Sequence, residues 1–216
     1  MSSLLEDLFS DFSSQVTHPN HGTPVAIMPY ATVVPPDQEP VNVVQPTERG
    51  PWIAGGACLR WYQGLPVGDS DIDVFCASAE QAQQVINAVK SYGRYSNRFQ
   101  SENATTLDYW AKDTGSRWTI QIITKRYYAN MQEIIDNFDL TVCQIATDGK
   151  SWVLGEHTAR DIREHNLRMR VPLQPDALKR LTKYWTYGYR PVDGLLTAIQ
   201  NNPNARWEFS PEEDYK

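Results

Sequence analysis

Hydrophobic spacing divides the chain into three stretches with different periods. Over residues 1–16, Leu4, Leu5, Leu8, Phe9 and Phe12 recur at helical spacing and predict a short amphipathic helix. From 17 to about 51 no period holds, and eight of the fourteen prolines fall there. That stretch predicts an extended arm with short Val/Ile runs at 25–27, 33–34 and 41–44, suited to an edge strand. From Pro51 the pattern alternates between periods of 2 and 3.6. Trp52-Ile-Ala predicts a strand end, and Gly55-Gly56 a turn leading into a helix through Leu59 to Gln63. A Gly/Pro loop then leads to a strand over Asp71–Cys76. Ala82, Val85, Ile86 and Val89 lie on one face of a helix over 78–91. Strands are predicted at about 104–110 and 118–124, and a short helix at 131–135. The apolar run 140–146 fits either a strand or a buried helix, and 157–200 reads as mainly helical, with an acidic tail at 211–214. The implied organisation is an N-terminal helix and arm over 1–50, an α/β core over 51–156 and a helical segment over 157–216.

Charge and composition narrow the function classes. At −6 the net charge argues against a protein that coats nucleic acid through its overall charge, while leaving room for a local basic groove. No apolar run is long enough to span a bilayer, and the N-terminus has neither a basic n-region nor a cleavage pattern. Cys58, Cys76 and Cys143 sit singly in apolar segments, as reduced core residues of a cytoplasmic protein would. The N-terminal helix that leads the arm lacks the basic face that membrane binding favours. It is expected to dock on a protein surface, either its own core or a neighbouring subunit.

The chemistry concentrates around one spacing. Fourteen residues separate Gly56 from Asp71, and Asp71-Ile-Asp73 places two carboxylates on one strand face. Such a pair repels itself and invites a hard cation with oxygen ligands, for which Mg2+ is suited. The paired glycines offer a turn at a helix start, where backbone N–H groups can meet phosphate. A phosphate cradle next to a metal pair suits nucleotidyl transfer. Downstream, 157–190 holds eight Lys/Arg against Asp161, Glu164 and Asp176, with Lys179, Arg180 and Lys183 on one helical segment. Tyr184, Trp185, Tyr187 and Tyr189 read as core.

This layout resembles the polymerase β-like nucleotidyltransferases, an α+β fold with a mixed sheet and helices. It looks most like the head of bacterial-type CCA-adding enzymes and poly(A) polymerases. Their first motif, GGAxxRD followed by a Gly-containing loop and DxD, is matched by Gly55-Gly-Ala-Cys-Leu-Arg60-Trp, Gly64 and Asp71-Ile-Asp73. Trp61 replaces the motif's Asp. Their RRDFTINALA block is matched loosely by Asn137-Phe-Asp139-Leu-Thr141-Val-Cys-Gln-Ile-Ala, and Asp161 falls in a segment similar to their short Asp-containing helix. The 175–185 segment is similar to the start of their neck helix. The run Phe138-Asp-Leu-Thr-Val-Cys143 is closer to the F-D-x-x-x-C block of small phage and large-DNA-virus relatives. The likeness covers roughly 52–190.

The resemblance implies transfer of a nucleoside monophosphate from an NTP to a hydroxyl, such as an RNA or tRNA-like 3′ end, in a phage or viral setting. The expected location is host cytoplasm or virion. Asp71, Asp73 and Asp139 would be catalytic, with Mg2+ on Asp71 and Asp73. Gly55, Gly56, Arg60, Ser70, Lys179, Arg180 and Lys183 would bind nucleotide. One departure weighs against activity: Gln121 stands where the fold's third carboxylate is expected, with Asp108 a fainter substitute. The alternative reading is a catalytically reduced member that serves as a binding or structural module.

Overall fold

Residues 26–29, 38–68, 70–110, 115–170 and 173–204 are described by the computed structural model. The expected helix over 1–16, most of the proline-rich stretch before residue 38 and the acidic tail lie outside the described residues. The elements run β1 (Ala26–Pro29), α1 (Glu39–Val44), β2 (Trp52–Ala54), α2 (Gly56–Tyr62), β3 (Ile72–Phe75), α3 (Ala79–Tyr92), β4 (Arg94–Gln100), β5 (Ala104–Trp110) and β6 (Arg117–Ile123). They continue with α4 (Met131–Ile135), a 3₁₀ turn at Thr141–Cys143, β7 (Ile145–Thr147), β8 (Ser151–Leu154), α5 (Thr158–Glu164), β9 (Asn166–Leu167), α6 (Ala177–Thr186), β10 (Arg190–Pro191) and α7 (Leu195–Gln200).

Eight strands form one mixed sheet in the order β1-β8-β7-β2-β3-β6-β5-β4. β3 and β6 are parallel, and the other pairs in this sheet are antiparallel. This is the expected α+β architecture. One sheet face carries Ile53, Ile72, Val74, Leu107, Tyr109, Ile120 and Ile122, all fully buried in the larger core with α2 and α3. The other carries Trp52, Ala54, Phe75 and Ala146, covered by Ile134 and Ile135 of α4. β5 is buried along nearly its whole length because Leu107 and Tyr109 pack into the larger core, while Thr106 and Asp108 on the other face are covered by their hydrogen-bond partners Gln121, Thr119 and Arg117 on β6.

Several local expectations need correcting. Val41-Asn-Val-Val is helical: Pro40 lies in the first turn of α1, where its missing N–H costs nothing, and Val43 and Val44 are buried. Tyr109 donates to Glu39 at 2.6 Å and ties α1 to the sheet. By contrast, β1 is an edge strand, paired with β8. The 140–146 run divides into the 3₁₀ turn and β7. The 157–200 segment is only partly helical, because β9 and β10 form a separate two-stranded sheet within it. β4 and β8 had no periodic signal. β4 is an exposed edge, so its side chains need not alternate.

At Gly93, between α3 and β4, an added Cβ would lie 2.4 Å from Tyr109 Cε2 and 2.9 Å from the Trp110 carbonyl. Backbone cannot yield there. Gly93→Ala is expected to destabilise the fold by about 1–3 kcal/mol, read as a lower urea midpoint with unchanged m-value.

Candidate functional site

A cleft of about 460 Å³ opens where the start of β3, the start of α2, the 138–143 segment and α6 converge. Gly56, Arg60, Ser70, Asp71, Asp73, Asp139, Arg180 and Lys183 line it. Gly55 and Lys179 do not. Residues from four separate parts of the chain meet there because β3 lies between β2 and β6 in the sheet, and α6 packs back over the 3₁₀ turn.

Gly55 serves a geometric purpose rather than donating to a ligand. Its φ is +81°, a region that favours glycine. An added Cβ would sit 3.1 Å from Phe138 Cζ and 3.5 Å from Asp73 Oδ2. Its N–H is already spent on the Ile145 carbonyl at 2.9 Å, so the expected phosphate cradle at Gly55 is corrected on that point. Gly56 begins α2, whose first N–H groups have no intrahelical acceptor. Arg60 Nε donates to the Pro66 carbonyl at 2.7 Å and braces the loop toward Ser70.

Asp71 is exposed, and Asp73 is half-buried on β3. Burial pushes the Asp73 carboxyl up to about 7, and the Asp71 charge adds to the rise. Lys183 and Arg180 pull the other way. Gln121 stands in register with Asp73 across the parallel β3–β6 pair, at the position expected for a third carboxylate. Its amide donates to Thr106 at 3.3 Å. The fainter substitute, Asp108, is engaged elsewhere: it accepts from Arg117 at 2.7 Å and from Thr119 at 3.0 Å.

Asp139 Oδ1 accepts from Arg180 at 2.9 Å and from the Leu140 N–H at 2.9 Å. Its buried Oδ2 has no hydrogen-bond partner. Arg180 also donates to Asp176 at 2.9 Å. Burial works against the Arg180 charge, but the two carboxylates outweigh it and raise its pKa. Along α6, residues 180, 183, 184 and 187 share the cleft stripe at helical spacing. Lys179, expected to bind nucleotide with them, does not line the cleft.

Sequence reasoning missed several lining residues. The aromatic cluster divides: Tyr184 and Tyr189 are buried, while Trp185 and Tyr187 are exposed, and Tyr187 faces the cleft. Gln63 donates to Tyr189 at 3.0 Å, and the His165 ring lies 5.2 Å from that of Tyr189. Cys143 lies 2.8 Å from the Tyr184 hydroxyl, and burial pushes its thiol up to about 12. That contact fastens α6 to the 3₁₀ turn. Asp161 is fully buried, accepting from Thr141 at 2.5 Å and Arg168 at 3.3 Å. It therefore supports the segment carrying Asp139 from behind and does not enter the cleft.

Among the described residues no group of three His, Cys, Asp or Glu side chains is arranged to hold a metal, and no helix is long and apolar enough to cross a membrane. Asp71 and Asp73, two carboxylates on one strand at the cleft, are oxygen donors of the kind that suits a hard cation, and Asp139 completes no three-ligand group with them.

The raised Asp73 pKa has a stability consequence. The folded state holds this proton up to about pH 7, while the unfolded chain releases it near 4. Its contribution is complete below about pH 4 and is lost as pH rises to about 7. In metal-free buffer, wild type should lose roughly 1–3 kcal/mol more than Asp73→Asn across that window, measured by urea unfolding at each pH.

No curated protein matches the chain. Its fold is similar to that of an apo form of a CCA-adding enzyme, at 15% identity and a TM-score of 0.55 over 81% of this chain and 47% of that one. It is also similar to the Bacillus stearothermophilus CCA-adding enzyme in complex with CTP, at 18% identity and a TM-score of 0.53 over 78% and 44%. The chain thus spans less than half the length of these structures, and at such identities the likeness shows the nucleotidyltransferase-like fold alone. Residues 36–165, more than half of the chain, match the Gabija anti-defense 2 family, and the chain belongs to that family.

Proposed function

We propose that this chain is a Mg2+-dependent nucleotidyltransferase that moves a nucleoside monophosphate from an NTP to a hydroxyl acceptor. The observation that carries this reading is the carboxylate group Asp71, Asp73 and Asp139 in one cleft with Lys183 and Arg180. Asp71 and Asp73 would hold the ion, and Asp139, held by its ion pair with Arg180, would act from across the cleft rather than as a third ligand. The chemistry such an ion supplies is polarisation of phosphate oxygens and neutralisation of the leaving pyrophosphate. Among the described residues Lys183 forms no ion pair within 4 Å, so its ammonium is available to the triphosphate. Arg180, already shared between Asp139 and Asp176, orients Asp139 and adds positive potential. Gln121 can orient the acceptor hydroxyl through its amide but cannot take its proton. Arg60 and Ser70 shape the loop side of the nucleotide pocket.

The family's name attributes to its members an action against Gabija defence. For this chain we infer a phage origin and an action exerted through this cleft, in the host cytoplasm. The proposed organisation keeps 51–156 as the catalytic core, 157–216 as the segment that closes the cleft, and 1–50 as an arm for a protein surface. A second reading, a reduced transferase serving as a binding module, is favoured by Gln121 in register with Asp73.

Labelled-NTP incorporation with mixed RNA acceptors separates the two readings. Asp71→Ala/Asp73→Ala should lose at least about 100-fold in rate, and equal incorporation by both proteins would sink the enzyme reading. Lys183→Ala should weaken Mg-NTP binding roughly tenfold by calorimetry. If wild type binds no Mg-NTP, the second reading stands.

A further inference from the structure

The sheet face that carries Asp73 continues beyond the cleft. In-register residues of neighbouring strands point to the same side, so Asp73, Gln121, Thr106 and Phe99 form one row across β3, β6, β5 and β4. Next to it lies the row Thr119, Asp108 and Ser96, and beyond that the row Arg117, Trp110 and Arg94. The opposite face of these strands is packed under α3, with Leu107, Tyr109, Ile120 and Ile122 fully buried. On the Asp73 side, Phe99 is 47% exposed, and Arg94 and Arg117 are exposed.

The outermost row has a specific form. The Arg94 and Arg117 guanidinium carbons lie 5.7 and 5.6 Å from the Trp110 ring centroid, so two cations share one indole. Asp108 holds Arg117 in place. From Arg117 to Gln121 is four residues along β6, about 13 Å at roughly 3.3 Å per residue. That matches about four stacked nucleotides at about 3.4 Å each.

We propose that this face is a platform for a single-stranded nucleic-acid acceptor, which crosses Trp110 and Phe99 and enters the cleft at Gln121 and Asp73. The proposal rests on the nucleotidyl-transfer reading and identifies its acceptor class. In a chain of net charge −6, two guanidiniums beside one aromatic plane are a local positive feature, complementary to phosphate. The exposed Phe99 ring offers a stacking surface indifferent to base identity, and the indole holds the two guanidiniums beside it. The floor between them is polar (Ser96, Thr119, Thr106, Gln121), and its one carboxylate, Asp108, is buried and neutralised by Arg117, unlike the desolvated apolar centre that a protein hot spot requires. The β4 edge is also blunted against strand addition by a register irregularity between Asn97 and Phe99.

The test uses the full chain and a short 5′-fluorescein single-stranded RNA in fluorescence anisotropy, with Mg-NTP calorimetry in parallel. Arg94→Glu and Trp110→Ala should each weaken RNA binding about tenfold or more, the scale of one lost stack or contact, with Mg-NTP binding unchanged. Arg94 is exposed, so its variant keeps the test valid if Trp110→Ala misfolds. Lys90→Glu makes the same charge change on α3, against the other face near Tyr95, and should leave RNA binding within about twofold. Equal RNA affinity for Arg94→Glu and wild type would overturn the proposal. So would equally tight binding of duplex RNA, or a wild type that binds Mg-NTP but no oligonucleotide, which would assign the face to a protein partner. Arg94-dependent RNA binding without any Mg-NTP binding would instead overturn the transfer reading and leave the platform standing.

Discussion

Two carboxylates two residues apart on β3 must coexist where the sheet meets a half-buried cleft, and the rest of the site answers that constraint. Burial raises the cost of ionising Asp73, and the Asp71 charge raises it further. Compensation comes from α6, whose Arg180 and Lys183 stabilise the charged form. Every contact that docks α6 therefore bears on the electrostatics of β3. The Cys143–Tyr184 contact and the Arg180–Asp139 ion pair are the two that act directly. Behind them, Asp161 fastens Thr141 and Arg168 and so fixes the turn from which Asp139 projects.

The same constraint explains the glycine at 55. A side chain there would collide with Phe138 and approach Asp73, so the turn is bare to let these two groups close on it. Phe138 in turn packs edge-on against Phe75, 5.8 Å between centroids, which links the turn before Asp139 to the strand that carries Asp73. Where the resembled motif has arginines, this chain has Asn137 and Phe138. Their partners are structural: Asn137 accepts from Arg126, and Phe138 fills the space over Gly55. Positive charge at the cleft comes from Arg180 and Lys183 of α6 and from Arg60 of α2 instead.

Gln121 shows how a lost charge is absorbed. Its position beside Asp73 would make a third acid costly in an uncompensated cleft, and a neutral amide hydrogen-bonded to Thr106 removes that repulsion. Asp139 approaches the same cleft from a turn rather than a strand, already paired with Arg180, so its charge is tolerated. The third carboxylate lining this cleft therefore comes from the turn and not from the sheet.

Local physics made much of this legible in the sequence. Period-2 and period-3.6 patterns located β5, β6, α3 and α4. The Gly-Gly and Asp-x-Asp spacing pointed to the turn, the strand and the carboxylate pair, because i and i+2 on a strand share a face whatever surrounds them. Non-local facts were beyond it. The short helix α1 inside a proline-rich stretch depends on burying Val43 and Val44 against α3. β4 and β8 form because neighbouring strands offer them hydrogen bonds, and their own sequences carry no period. Which of the basic residues on α6 meets the cleft was decided by how that helix docks on Cys143, 41 residues away in sequence. The sequence by itself determined the residues able to hold a cation and a phosphate. Only the tertiary structure decided which of them face one another, because register and helix rotation are set by packing between segments distant along the chain.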